Sequence, residues 1–199
     1  MGDSSRGEKN GRAVDRRVRR SRRAMMGAFD RLIMTTPFEQ ISVSAVAREA
    51  DVDRKTVYQH FGGVDGILDA VVEEAVSELL DEVEETMRGR VGAGEDVRPL
   101  SAFFDALSVH LGKNAALRQR YCEHVPTELL FDRLARPLAR QIAARGLVRD
   151  ELSDTELEML LAFGVGGLLS LYRWWLLSDR SVPLEEVTRR AGALLEAGV

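Results

Sequence analysis

The stretch SVSAVAREADVDRKTVYQHF, residues 42–61, decides the reading of this chain. Ser42 is placed as a helix N-cap. Val43, Val46, Ala47 and Ala50 recur behind it at helical spacing and mark the buried face of a first short helix. Asp51-Val52-Asp53 interrupts the pattern. Asp51 tolerates a left-handed backbone, Val52 plugs a core, and Asp53 is positioned to cap a second helix. On that second helix Val57 and Phe61 face inward, which leaves Arg54, Lys55, Thr56, Tyr58, Gln59 and His60 outside. Two cations and a hydroxyl therefore open the second helix of a helix-turn-helix, where groove-facing residues are expected.

The flanks strengthen this. Upstream, Asp15 to Thr36 reads as one amphipathic helix with Val18, Met25, Ala28, Phe29, Leu32 and Ile33 as its apolar stripe. Pro37-Phe38 and Ile41 form a connector. Downstream, Gly62-Gly63 ends the reading helix, and a fourth helix starts near Val64. Three helices and a hinge into a fourth make a complete small DNA-binding module.

Over Arg16 to Leu68 the chain resembles the TetR (tetracycline-repressor-like) family of bacterial transcriptional regulators. The residues that carry the resemblance are the arginine-rich first helix, Pro37-Phe38, Ser42-Val43-x-x-Val46-Ala47 and Asp51-Val52-Asp53-Arg54-Lys55-Thr56-Val57-Tyr58-x-x-Phe61. GGLLSLYRWW, Gly166 to Trp175, looks like the branch that contains dihydroxyacetone-kinase operon regulators. The resemblance implies an all-α fold: an N-terminal three-helix helix-turn-helix domain and a larger helical domain for ligand binding and dimerisation. It also implies that an aromatic at position 60 touches a phosphate. Three departures stand out. The usual turn glycine is Asp51, the usual small second residue of the reading helix is Lys55, and a usual phosphate-holding lysine is matched by Val64. Lys55 should alter base preference, and the Gly63 N–H could still hold a phosphate.

Charge supports a basic head on an acidic body. The net charge is −4, yet residues 1–61 hold 13 Lys/Arg against 8 Asp/Glu, and residues 62–199 hold 15 against 24. Arg16, Arg17, Arg19, Arg20, Arg22 and Arg23 concentrate the positive charge, as phosphate contacts or steering charges. The DNA-contact set expected from all this is Arg16, Arg20, Ser42, Ser44, Arg54, Lys55, Thr56, Tyr58, Gln59, His60 and Gly63. With a single cysteine, no intramolecular disulfide can form, which fits a reducing compartment. The longest apolar run, Met159 to Leu177, carries Arg173 and glycines and falls short of the ~18 apolar residues of a membrane span. No signal peptide is read and no membrane partner is expected; the chain should work in the bacterial cytoplasm, at the nucleoid.

Residues 1–13 read as a disordered arm whose Arg6, Lys9 or Arg12 could add DNA contacts, residues 14–63 as the DNA-binding domain, and residues 64–199 as the body. The body is helical throughout. Val64 to about Arg90 forms a long helix, then helices start at Pro99, Ala115 and Pro126, and Pro137 predicts a kink or break in the last of these. Ser153-Asp154-Thr155-Glu156 is a capping box that opens a helix to about Ser178, and Pro183 opens the final one. Residues 157–177 are apolar nearly all round, with Gly164, Gly166 and Gly167 inside, which is wrong for a monomer's surface. Adjacent Trp174 and Trp175 diverge by about 100°, so one can serve a core and the other a partner. A homodimer through the last two helices satisfies this.

Phe103, Phe104, Leu107, His110, Leu111, Tyr121, Met159 and Phe163 are candidate walls of a small-molecule pocket; plain core is the competing reading for each. Cys122, Glu123 and His124 invite a metal or thiol sensor, but Cys122 and His124 diverge by about 200° on a helix. No metal, cofactor or catalytic constellation is expected, so an enzyme is not. The reading is a ligand-responsive repressor that binds a palindromic operator as a homodimer. Its rival is a co-regulator that works through protein contacts without its own operator.

Overall fold

The computed structural model describes residues 4–93, 99–147 and 153–197, and every regular element among them is helical. The order is α1 (Ser4–Ile33), a short 3-10 turn (Phe38–Gln40), α2 (Val43–Glu49), α3 (Arg54–Phe61), α4 (Val64–Gly92), α5 (Pro99–Gly112), α6 (Ala115–His124), α7 (Thr127–Ala144), α8 (Asp154–Leu177) and α9 (Leu184–Ala197). The chain divides into two units, Met1–Val71 and Val72–Val199, so the division falls two turns inside α4.

In the first unit the core is Met25, Ala28, Phe29 and Ile33 of α1 with Ile41, Val46, Ala47, Val57, Ile67 and Leu68. These are the stripe positions of α1 and the inward positions of the helix-turn-helix. Phe38 stands edge-on to Phe29, 6.2 Å between ring centroids, so the connector is held by an aromatic pair. Two expectations are corrected. Val18 is exposed rather than part of the buried stripe. The stretch read as a disordered arm is helical from Ser4 onward; residues 1–3 lie outside the described residues. No proline interrupts residues 4–33, and once α1 is nucleated, propagation costs little apart from about 1 kcal/mol at each of Gly7 and Gly11.

In the second unit α5 packs on α9, α7 on α8, and both α6 and α9 on α8. A cluster of Cys122, Tyr172, Trp175, Leu176 and Val187 holds α6, α8 and α9 together. Tyr172 and Trp175 stack at 5.9 Å, and each buried polar tip is satisfied: the Tyr172 hydroxyl donates to Leu111 O and Trp175 Nε1 donates to Val182 O, both at 2.8 Å. Ser153 accepts from the Glu156 N–H, and the Glu156 carboxylate accepts from Ser153 N, which completes the expected capping box. Pro137 is buried within α7, and the helix continues through it, so the expected break does not occur.

Along α4 and α7 a polar seam forms. Arg140 pairs with Glu73 at 2.5 Å, Gln141 donates to Glu73 at 2.7 Å, and Arg145 reaches Asp81, Glu84 and Ser77. A run that sequence reading excluded as a membrane span does meet the length and hydropathy of one: Glu158–Leu177, mean hydropathy 1.4. Glu158 and Arg173 are its two charged residues, and the match is one of length and composition only.

Gly192 of α9 sits against Phe104 of α5, where a Cβ would lie 2.9 Å from the ring. Phe104 is itself buried, so the ring has nowhere to go. Gly192→Ala is expected to destabilise the protein by about 1–3 kcal/mol through overpacking, although alanine favours helix. Gly89→Ala, with nothing near its Cβ, should be neutral or stabilising by up to about 1 kcal/mol. Thermal melts of the two variants check this; a Gly192→Ala protein as stable as the parent contradicts the tight α5–α9 contact.

Candidate nucleic-acid interface

The helix-turn-helix is built by local chemistry. Ser42 is extended (φ −106°, ψ 155°), and its hydroxyl oxygen accepts the Ala45 N–H at 3.2 Å, which starts α2. The turn is closed by the Val52 N–H donating to Ala47 O at 2.9 Å, with Asp51 left-handed at φ 53°. Asp tolerates that conformation because its short side chain bonds locally. Asp53 has the extended backbone of an N-cap, but its side chain makes no capping bond, so the sequence expectation holds for its backbone alone. Gly62 ends α3 at φ 74°, its N–H bonded to Tyr58 O, and Gly63 follows at φ 155°. The first turn of α4 then passes so close to α3 that a Cβ at Gly66 would overlap the Phe61 carbonyl.

This geometry presents one face of α3. Val57 is fully buried, while Arg54, Lys55, Tyr58 and Gln59 are exposed, Tyr58 to 50%. Lys55 and Gln59 are one helical turn apart, as are Arg54 and Tyr58, so the four side chains form a compact polar surface. Ser44 on α2 and Arg16 and Arg20 on α1 are exposed, whereas Thr56, His60 and Gly63 are half-buried. The Ser42 hydroxyl oxygen already serves as a cap, which leaves its proton for another acceptor.

Two arginines of α1 play roles that the sequence did not announce. Arg31 Nε pairs with the Glu49 carboxylate at 2.6 Å, and its Nη2 donates to the Glu49 carbonyl at 3.2 Å, at the C-terminus of α2. Arg22 Nη1 donates to the His60 carbonyl at 2.8 Å, and its guanidinium lies 4.4 Å from the centre of the Phe61 ring, at the C-terminus of α3. Each cation sits where a helix leaves carbonyls without intrahelical partners and where the macrodipole is negative. The signal for Arg22 was present: it lies seven residues before Phe29, about 20° away around the helix, on the apolar stripe rather than the solvent face.

The body residues proposed as pocket walls separate into two groups. Phe104, Leu107 and His110 are buried, and Phe103, Leu111 and Tyr121 are half-buried. Met159 and Phe163 are 67% and 71% exposed, so they do not share an interior cavity with the others; they lie on the outer face of α8. An open groove of about 320 Å³ lies between α7 and α8, lined by Thr127, Glu128, Phe131, Asp132, Gly166, Leu169 and Ser170, none of them in the expected set.

His110 belongs to a polar cluster. Glu82 Oε1 faces its Nδ1 at 3.3 Å and accepts from Lys113 Nζ at 2.7 Å, while Arg118 Nη2 lies 2.8 Å from His110 Nε2. Arginine only donates, so Nε2 must accept and the proton sits on Nδ1, directed at Glu82. Burial pushes the His110 pKa down and the Arg118 charge adds to it. Burial alone would raise the Glu82 carboxyl, but hydrogen bonds from Lys113 and His110 hold it below its ordinary range. Glu82 Oε2 is buried without a hydrogen-bond partner. Cys122 is buried and burial raises its thiol pKa, which disfavours the thiolate a redox sensor needs. Among the described residues no group of three His, Cys, Asp or Glu is placed to hold a metal.

A pH dependence follows. In the unfolded chain His110 titrates near ~6.5, and the folded protein holds it lower. Between these two values the unfolded state binds more protons, so stability is lost as pH falls. Melting temperature should drop between about pH 7.5 and about pH 6, and by less in His110→Gln, whose amide can still meet Glu82 and Arg118. An identical pH dependence in parent and variant contradicts a neutral buried His110.

Comparison with known proteins agrees with the helix-turn-helix. Residues 28–71 match the family described as bacterial regulatory proteins, tetR family. An uncharacterized HTH-type transcriptional regulator of Bacillus subtilis, YxbF, is 30% identical over 69 residues, which cover 34% of this chain and 18% of that protein's length. Among solved structures, a TetR transcriptional regulator from Streptococcus agalactiae is 18% identical with a TM-score of 0.59, covering 93% of this chain and 98% of its own. FadR of Thermus thermophilus, a TetR-family repressor solved with lauroyl-CoA, is 19% identical with a TM-score of 0.54, covering 89% and 94%. At these identities the two structures speak for the fold, and the match over residues 28–71 for the module it contains. Residues 28–71 thus carry the helix-turn-helix module of the bacterial regulatory proteins of the tetR family, at the N-terminal end of the chain.

Proposed function

We propose that this regulator is a homodimeric repressor that binds a palindromic operator and releases it when a small molecule occupies the body. The observation that carries the DNA reading is the surface of α3: Arg54, Lys55, Tyr58 and Gln59 project together from a helix whose opposite face is fixed by Val57. In the major groove Lys55 favours guanine O6 and N7, and Gln59 suits adenine. Arg16, Arg20, Ser42, Ser44, Thr56, Tyr58, His60 and the Gly63 N–H supply phosphate and backbone contacts, which position the module without reading sequence.

The dimer reading rests on α8. Met159, Leu160, Phe163, Gly167, Ser170, Trp174 and Leu177 fall within about 60° of one line along that helix, and all are exposed. Nothing lies within 4 Å of a Cβ built at Gly167, so a second helix can come close there. Trp174 is 54% exposed while Trp175 is 8% exposed, which divides the pair between partner and core. An apolar stripe about 27 Å long suits a second copy of the same helix. The effector reading draws on FadR of Thermus thermophilus, a protein of the same fold that holds lauroyl-CoA. A ligand acts by binding one arrangement of α4 better than the other, which changes the separation of the two reading helices. The same reading places the protein in the bacterial cytoplasm.

Selection from a random DNA pool tests the base-reading claim. The parent should return a two-fold symmetric motif, and Lys55→Ala should relax one base pair in each half-site, at about 1–3 kcal/mol per contact. The same motif from both proteins removes Lys55 from the reading set, and no motif from the parent favours a regulator that works through protein contacts. The dimer is tested separately by Phe163→Glu. An exposed residue of a monomer tolerates this change, whereas a charge in an apolar interface costs several kcal/mol. Sedimentation should show a folded monomer with operator affinity lowered by at least about tenfold; an intact dimer places the interface elsewhere.

A further inference from the structure

We propose that Arg22 is a positioning residue for DNA reading, setting the seat of α3 rather than contacting phosphate. The inference rests on the functional reading above. Six arginines crowd residues 16–23, and charge alone would assign them one role. The structure divides them. Arg16, Arg17, Arg19, Arg20 and Arg23 are exposed, while Arg22 is half-buried and makes two contacts with α3. Its guanidinium donates to the His60 carbonyl at 2.8 Å and covers the Phe61 ring at 4.4 Å.

These two contacts are geometrically demanding. A planar guanidinium can stack on a ring and point an N–H at a neighbouring carbonyl at once, and a lysine ammonium cannot do both equally well. The contacts also sit where they have leverage. Helix α3 is eight residues long, too short to persist without tertiary support. Its N-terminal end is fixed by the turn through Asp51 and its middle by buried Val57. Arg22 adds a side-chain tie at its far end, on the carbonyl one residue beyond Gln59, where α4 also passes close at Gly66. Without it α3 can tilt about Val57. Tilt moves Lys55 and Gln59 relative to base edges but leaves backbone phosphates within reach of flexible surface cations. Arg22 thereby separates specific from non-specific binding.

The test compares Arg22→Gln, Arg22→Lys and Arg20→Gln on the selected operator and on unrelated DNA across a salt series. Loss of a phosphate contact lowers the magnitude of the log K against log salt slope by about 0.9 per phosphate. The expected result for Arg22→Gln is a fall of about tenfold or more in the ratio of operator to unrelated-DNA affinity, the scale of one lost charge-assisted hydrogen bond. The slope on unrelated DNA should stay at the parent value. Arg20→Gln should do the reverse, lowering the slope and keeping the ratio. If Arg22→Gln does not fold, Arg22→Lys decides: it keeps the charge, so a phosphate role predicts near-parent behaviour and a positioning role predicts a reduced ratio. A parent-like ratio in both folded variants, a slope loss in Arg22→Gln matching Arg20→Gln, or a parent-like ratio in Arg22→Lys alone overturns the proposal. A parent protein that selects no sequence overturns the functional reading and this inference together; parent selection with unaffected Arg22 variants overturns the inference only.

Discussion

An eight-residue helix does not hold itself in water, because nucleating it costs more than its few hydrogen bonds return. Much of the first unit can be understood as the means by which α3 is held out to solvent and still kept rigid. The Asp51 turn fixes where it begins, Val57 anchors its middle, and Gly62 ends it in a left-handed residue. Helix α1 supplies the base: Met25, Phe29 and Ile33 form the floor, and Arg22 and Arg31 reach across to the carbonyl ends of α3 and α2. The buried face makes no distinction among sequences of DNA. In the proposed function it makes the opposite face, with Arg54, Lys55, Tyr58 and Gln59, dependable enough to do so.

What was legible in the sequence follows from how local the causes are. Ser42, Asp51, Val57 and Gly62 act on backbone within a few residues, so their types and spacing announce the helix-turn-helix. Arg22 acts across 38 residues of sequence, and within an arginine run it looks like every other cation. Only its place on the stripe with Phe29 set it apart. Asp53 took the cap backbone without the cap bond, and nothing in the structure explains the missing bond. In the body, periodicity located the helices but not which side of α8 faced inward. A helix apolar all round carries no moment to orient it, so Phe163 read as a pocket wall and stands outside. Pro137 was read as the site of a kink or break, and α7 runs on through it with the proline buried.

The second unit combines two unlike surfaces. Inside, polar groups are tied down: the Tyr172 hydroxyl and Trp175 ring nitrogen each find a carbonyl, and His110 is held neutral between Glu82 and Arg118. Outside, α8 leaves a line of apolar side chains in water, Phe163 and Met159 the most exposed. In water such a line is unfavourable to leave bare, since each large side chain covered is worth about 1.5–3 kcal/mol. The expense of leaving it bare in one copy is what drives two copies together in this account. In the proposed function pairing also serves the other unit, since one short helix touches too few base pairs to pick a site from a genome.

The central claim is therefore that two α3 helices read DNA as a symmetric pair. A hydroxyl-radical footprint on the selected operator measures this directly. The account predicts two protected patches on each strand, related by a two-fold axis, with half-sites about one helical turn apart, roughly 34–36 Å centre to centre. A single patch without symmetry, or protection that spreads evenly along any DNA offered, would contradict it.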